Sequence, residues 1–372
     1  MGRDEREVLR IAEQFETEGI IESVSAHGNG HINDTYLVTC RTSDGYKRYI
    51  LQRINHEIFK KPREVMENVL GVTEFLQGKI AENGGDPERE TMHVVPAKDK
   101  APCRKQEDGT YWRMYRFIEN ATSYDAVKEP KDFYESALAF GHFQKMLADY
   151  PAKELFETIP DFHNTVKRFD AFKKAVKEDV MHRAAGVQGE IRFILDREKD
   201  CHAICDLLAA GEIPLRVTHN DTKLNNIMID NETGKGICII DLDTVMPGSA
   251  LYDFGDAIRF GACTGAEDEP DLSKISCDLE LFEVYTKGYI EGCGGALTQT
   301  EIRMLPMGAK VITLEQGIRF LTDYLEGDHY YKTERPGQNL DRTRTQLKMV
   351  KDMEEKWGEM ERIVENCREI RA

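Results

Sequence analysis

No apolar run in this chain approaches the ~20 residues that a membrane-spanning helix requires, and no Cys-x-x-Cys pair, internal repeat or low-complexity segment is present. Basic residues are in deficit. Fifty Lys and Arg against 67 Asp and Glu leave a formal charge of −17. A nucleic-acid backbone or an anionic membrane surface needs a basic footprint, so neither is an expected partner. A nucleotide is not excluded, because a few cations and Mg²⁺ can be focused locally. The nine cysteines are scattered and odd in number, which argues against a disulfide framework and for reduced thiols. The first fifteen residues are charged throughout and lack the apolar stretch of a secretory signal. Arg6 stands where a myristoylation motif beginning at Gly2 wants Ser or Thr. A cytoplasmic protein is expected.

What is present is ordinary globular composition, 40% hydrophobic and 31% charged over 372 residues, long enough for two cores. Val8, Ile11, Ala12 and Phe15 fall at helical spacing and predict a helix over residues 3–18, ended by Gly19. Three strands follow, Ile20 to Ala26, Thr35 to Thr42 and Tyr46 to Ile54, the last two joined by the turn Ser43-Asp44-Gly45. Pro62 opens a helix over 63–77. Two more strands, Met92 to Ala97 and Tyr111 to Ile118, complete a five-stranded antiparallel lobe. From Lys131 onward helices dominate, at 133–150, 166–180, 190–208, 279–288, 300–325 and 340–369. The expectation is an α+β chain, with a β-rich domain at 1–119 and a helical domain at 120–372.

One stretch interrupts the helical half. Val217-Thr218-His219-Asn220-Asp221-Thr222-Lys223-Leu224-Asn225-Asn226 is a polar knot between apolar runs, and after a charged turn Ile239-Ile240-Asp241-Leu242-Asp243 follows. Carboxylates, one amide and one amine at such spacing suit a hard cation and phosphate. The Asp221-x-Lys223-x-x-Asn226 array is that of kinase catalytic loops, with Asp241 fifteen residues beyond Asn226 where kinases place a metal-binding Asp. The Phe and Gly that follow that Asp in protein kinases are missing here, and His219-x-Asp221 stands in place of their His-Arg-Asp.

The combined His-x-Asp-x₄-Asn and Ile-Asp-x-Asp pattern resembles the aminoglycoside phosphotransferase and choline kinase superfamily of small-molecule kinases. That resemblance implies a protein-kinase-like two-lobe fold, a small antiparallel β N-lobe with one helix, and a larger helical C-lobe. It implies ATP and Mg²⁺ as cofactors. Asp221 would orient the acceptor hydroxyl and Lys223 offset charge on the moving phosphoryl. Asn226 and Asp241 would hold Mg²⁺, with Asp243 as a second ligand, and His219 would brace the loop. Gly28, Gly30, His31, Asn33, Asp34 and Thr35 would cover the nucleotide phosphates, since glycines let backbone N–H groups approach phosphate oxygens. Arg53 on the third strand would take the phosphate-binding lysine's place, with Glu67 (or Glu64, one turn earlier) as its partner acid.

Three segments, HGNGHINDTY (27–36), DLDTVMPGSALYDFGDAIRFG (241–261) and QGIRFLTDYLEGDHYYKTERPGQNLDRTRTQL (316–347), look more closely like the bacterial N-acetylhexosamine 1-kinases. This implies phosphorylation of the anomeric hydroxyl of GlcNAc or GalNAc, with Arg319, Tyr330 and Trp357 joining Asp221 around the sugar. Each has a structural alternative: Arg319 pairing with Asp323 at i+4, Tyr331 rather than Tyr330 facing the site, Trp357 packing in a helix stripe. Asp253, Asp256 and Arg259 are expected to brace the catalytic hairpin. A kinase for choline, homoserine or an aminoglycoside is the runner-up, and a non-catalytic pseudokinase a second class.

Overall fold

The computed structural model of the chain describes residues 5–28, 33–124, 127 and 129–369. Its contacts divide into two compact units. One comprises residues 1–122, 153–159 and 228–246, and the other 123–152, 160–227 and 247–372. The first therefore takes in the hairpin after the polar knot, which the sequence reading assigns to the helical domain.

In the first unit, helix α1 (Glu5–Ala12) is shorter than its periodicity predicts. Phe15 leaves the helix to bridge Ala97 and is buried against the sheet. The strands are β1 (Ile20–Ala26), β2 (Asp34–Thr42), β3 (Gly45–Ile54), β4 (Val94–Val95), β5 (Arg104–Lys105) and β6 (Tyr111–Arg116). They form an antiparallel sheet of order β1-β2-β3-β6-β4, with β5 also on β6. The fourth predicted strand shrinks to two residues and the unpredicted β5 joins. Alternation then fixes the faces. Val38, Cys40, Tyr49, Leu51, Trp112 and Met114 pack with Val8, Ile11 and Ala12 of α1. Gln52, Arg113 and Tyr115 lie on the opposite face, where Arg113 and Tyr115 reach Met66 of helix α2 (Pro62–Glu82). Helix α3 (Pro87–Glu90) follows. A second sheet pairs β7 (Ala121–Thr122), β9 (Ile227–Asp230) and β10 (Gly236–Ile239).

The second unit is helical: α4 (Pro130–Met146), α5 (Thr165–Glu178), α6 (Gln188–Leu195), α7 (Glu198–Ala210), α8 (Ala250–Gly261), α9 (Leu279–Cys293), α10 (Gln299–Arg303), α11 (Leu305–Glu326), α12 (Gln338–Glu355) and α13 (Trp357–Glu369). Strands β8 (Arg216–Thr218) and β11 (Met246–Gly248) pair. Three predicted helices are broken. The 190–208 helix splits at Asp196 and Arg197, whose guanidinium binds Phe193 O and Glu354. The 300–325 helix splits because a Thr298/Glu301 capping box starts α10 and Pro306 restarts the chain as α11. The last splits at Lys356, whose ammonium donates to Ser276 Oγ and Cys277 O. The core joins Phe169, Phe172, Ile191, Ile194, Ile318, Leu321 and Val350 from these helices. Helix α8 meets α11 at Gly255 and Gly308, where a Cβ on Gly255 would lie 2.4 Å from Gly308 O. Backbone-to-backbone contact of that kind fixes α8 in place. All nine cysteines are free thiols, and no described helix is long and apolar enough to cross a membrane.

Candidate active site

The knot 219–226 hangs from β8 and is held from below by α8. Asp253 is fully buried and its carboxylate accepts from the backbone N–H of His219 (3.0 Å) and of Asn220 (2.8 Å), and from Gln144 Nε2 (2.8 Å). Asp256 accepts from the N–H of Thr222 at 2.9 Å, and the Thr222 hydroxyl donates to Asp253 O at 2.6 Å. Arg259 neutralises Asp256 and pairs with Glu267. The expected brace is present, and it grips the loop backbone rather than the hairpin strands. His219 is buried against the edges of Phe140 and Phe143, and its Nδ1 accepts the N–H of Asp221. An accepting Nδ1 leaves the ring proton on Nε2, so this imidazole shapes the loop.

Held this way, the loop brings three predicted residues together. Lys223 Nζ lies 2.8 Å from Asp221 Oδ1, and Asn226 Nδ2 donates to Asp221 Oδ2 (3.1 Å) and to Asp221 O (2.8 Å). Burial works to raise the pKa of Asp221. Lys223, followed by His219 and Asn226, overturns that and leaves it below the ordinary carboxylate range. Lys223 shows the converse: burial opposes its charge, while Asp221 and Asp256 raise its pKa. Its ammonium also sits 4.9 Å from the centre of the Phe260 ring. The pair is ionised at neutral pH. With both amide hydrogens of Asn226 directed at Asp221, Oδ1 takes no donor among the described residues, although the residue is only 6% exposed. An amide oxygen to which no described residue donates, beside an ionised carboxylate, is a donor set that fits Mg²⁺.

In the first unit, Asp241 lies two residues beyond β10 with left-handed backbone (φ 58°, ψ 57°) and caps the single turn Leu242–Thr244. Asp243, the second metal ligand expected from the sequence, is engaged by protein groups. It is 4% exposed and its two oxygens face both terminal nitrogens of the buried Arg113, with Arg113 Nη2 at 2.9 Å from Oδ2. Asn33 Nδ2 also donates to Oδ2, at 2.8 Å. Such a bidentate pair occupies most of the carboxylate's acceptor capacity.

The predicted phosphate contacts fare unevenly. Arg53 shares the face of Tyr49 and Leu51, and pairs at 2.6 Å with Asp34 directly opposite on β2, not with Glu67. Glu67 is on the exposed side of α2, and Glu64 pairs with Lys61. Thr35 Oγ1 accepts from Gln52 Nε2 at 3.1 Å. Gly28 has φ +71° and open space around it, while Gly30 and His31 lie outside the described residues. On the opposite face, beside Gln52, lies the buried cation Arg113, which sequence reading missed. Its signal was the alternation Trp112, Met114 against Arg113, Tyr115.

On α11, Arg319 lies within 5.2–5.8 Å of the ring centres of Phe162, Tyr330 and Tyr331. It does not pair with Asp323. That carboxylate is buried and accepts the N–H groups of His329, Tyr330 and Tyr331, with Asn339 Nδ2. Tyr330 is 62% exposed, and Tyr331 turns inward, its hydroxyl accepting from Gln316 Nε2 at 3.0 Å. Arg168 stands close enough that burial and then Arg319's charge lower its pKa. Phe162 and Arg168 were missed, since nothing local in sequence marks them. Trp357 is elsewhere. It opens α13 near Lys310, nine residues and about 13 Å of helix from Arg319. No contact of Trp357 with Arg319 or Tyr330 is found among the described residues; its ring faces Lys310 instead.

This is a protein-kinase-like fold whose loop brings Asp221, Lys223 and Asn226 together. A family model described as the phosphotransferase enzyme family matches residues 23–276, and the chain belongs to that family. Solved structures agree in fold. An aminoglycoside 2'-phosphotransferase-IIIa in complex with GDP superposes with a TM-score of 0.59 at 14% identity, over 95% of this chain and 99% of that one. Choline kinase from Cryptosporidium parvum gives 0.57 at 14% identity, over 96% and 97%. Spectinomycin phosphotransferase with ADP and spectinomycin gives 0.55 at 13%, over 95% and 100%.

Proposed function

We propose that the protein is an ATP- and Mg²⁺-dependent kinase that phosphorylates the anomeric hydroxyl of N-acetylhexosamines, GlcNAc or GalNAc, to the sugar 1-phosphate and ADP. The observation that carries the kinase reading is the Asp221, Lys223 and Asn226 constellation on a loop whose backbone is gripped by two buried acids. The nucleotides in the aminoglycoside and spectinomycin phosphotransferases support a nucleotide donor.

Phosphoryl transfer needs in-line positioning and charge neutralisation more than covalent chemistry. Asp221 accepts a hydrogen bond from the acceptor hydroxyl and aims its oxygen. Lys223 compensates charge on the phosphoryl in flight. Asn226 would offer an amide oxygen to Mg²⁺, which when bound would supply neutralisation of phosphate charge, and by its sequence position Asp241 would serve as a further oxygen ligand. The acceptor preference is supported by the surroundings of Arg319. Aromatic faces suit the apolar side of a pyranose and fixed donors suit its hydroxyls. Two neighbouring guanidiniums, Arg319 and Arg168, repel a cationic acceptor such as choline.

The test offers Mg·ATP with N-acetylhexosamines, hexoses, choline, homoserine and an aminoglycoside, follows ADP release and locates the phosphate by NMR. Turnover on an N-acetylhexosamine with phosphate at C1 is expected. Turnover confined to choline, homoserine or an aminoglycoside refutes the sugar reading, and no ATP consumption with any acceptor favours a pseudokinase. In the same assay Arg319→Ala is expected to raise KM for the sugar ~10-fold, about the worth of one charge-assisted hydrogen bond, with KM for ATP unchanged.

A further inference from the structure

The first unit contains a buried ion pair that the mechanism above does not use. Arg113 is 1% exposed, and besides Asp243 it binds Gln52 Oε1 through Nε (3.0 Å) and Nη2 (2.8 Å). Gln52 occupies the α2-facing position of β3, so the cation on this face comes from β6 instead. Asp243 in turn holds Asn33, whose Oδ1 accepts the N–H of Asn55 at 2.9 Å. One guanidinium thus ties together β3, β6, the residue that leads into β2, and the turn after β10.

That turn needs tying. Asp241 has a left-handed backbone, a conformation that costs a residue with a Cβ and persists only where its surroundings over-determine it. Downstream of it Arg113 binds Asp243, Asn68 Nδ2 donates to Val245 O (2.9 Å), and the N–H of Val245 donates to Leu242 O (3.2 Å). Asn68 is anchored on the other side by Phe156, donating to its O and accepting its N–H, both at 2.8 Å.

We propose that Arg113 is a positioning residue for the metal-binding turn: it fixes Asp243 as a counter-ion, which holds the 242–244 turn and so the carboxylate of Asp241, while Asp243 itself does not ligate metal. This rests on the kinase reading.

The rival, in which Asp243 is a metal ligand, predicts the opposite sign. Removing Arg113 would free a carboxylate and tighten Mg²⁺ binding. The experiment is a Mg²⁺ titration at fixed ATP, read by calorimetry and separately by turnover, on wild type, Arg113→Met and Arg113→Lys. Loss of a group that orients a metal ligand typically weakens metal affinity ~10–100-fold. Arg113→Met is therefore expected to raise the half-saturating Mg²⁺ by that factor, with Mg²⁺-free ATP binding unchanged. Arg113→Lys keeps the charge without the bidentate fork and should fall between. If Arg113→Met does not fold, the lysine variant carries the test with a rise of several-fold. Half-saturation unchanged or lowered in the folded variants overturns the inference. A wild-type protein that shows no Mg²⁺-dependent ATP binding overturns the kinase reading itself, and the inference with it.

Discussion

Replacing Asp221 with asparagine is expected to lower kcat ~10²–10⁴-fold, the range for losing a positioned acid–base group, while Mg·ATP binding stays within a few-fold. Asparagine keeps the shape and one acceptor oxygen but loses the charge that holds Lys223 at 2.8 Å and organises Asn226. The pKa direction sharpens the role. Burial would raise it, but the larger sum of Lys223, His219 and Asn226 lowers it, so Asp221 is a weak base. It aims the hydroxyl and receives the proton late, when the attacking oxygen has become acidic. The sign for pH follows. A depressed carboxylate pKa gives stabilisation that is present above the ordinary value near 4 and lost as pH falls through the lowered one. The acid limb of kcat from Asp221 should therefore lie below about pH 4. An acid limb near pH 6 that disappears in Asp221→Asn would refute this assignment, as would unchanged turnover in the variant.

Strands β1, β2, β3 and β6 and the clustering of Asp221, Lys223 and Asn226 were legible in the chain because their signals are local. Alternation, the Asp44-Gly45 turn and the Asp-x-Lys-x-x-Asn spacing need no knowledge of distant residues. The helix breaks at Asp196 and Lys356 were not legible. Each is fixed by a cation reaching a partner far along the chain, Arg197 to Glu354 and Lys356 to Cys277. Partner assignments failed for the same reason. Arg53 and Gln52 are adjacent, and only the register Asp34 opposite Arg53 decides which of them faces α2. Asp243 carries a metal-ligand signature in the sequence, while its ion pair with Arg113, 130 residues away, is visible only in the fold. The Asp253–Asp256 brace lies between these cases. Two acids in Tyr-Asp-Phe-Gly-Asp announce a role, and only the fold shows that backbone N–H groups are their object.

That brace yields the largest expected effect on stability, in Asp253→Ala. The substitution leaves the N–H groups of His219 and Asn220 and the amide of Gln144 without their acceptor in a site closed to water. Each orphaned buried donor costs about 1–3 kcal/mol, so the total is on the order of 5 kcal/mol and the melting temperature should fall by roughly 10 °C or more. Asp253→Asn should cost less, because one oxygen still accepts, although its amide hydrogens then face a donor. A global loss would reduce the folded fraction and leave kcat per folded molecule intact. A brace predicts more, since Asn220 holds a left-handed backbone (φ 66°) immediately before Asp221, and releasing its N–H lets the loop relax out of that strained conformation. Turnover per folded enzyme at a temperature well below the melt, counted by active-site titration with nucleotide, should therefore fall at least ~10-fold in Asp253→Asn, as for a misplaced catalytic group. A normal rate per folded site would reduce Asp253 to a packing residue and leave the placement of Asp221 to the rest of the loop.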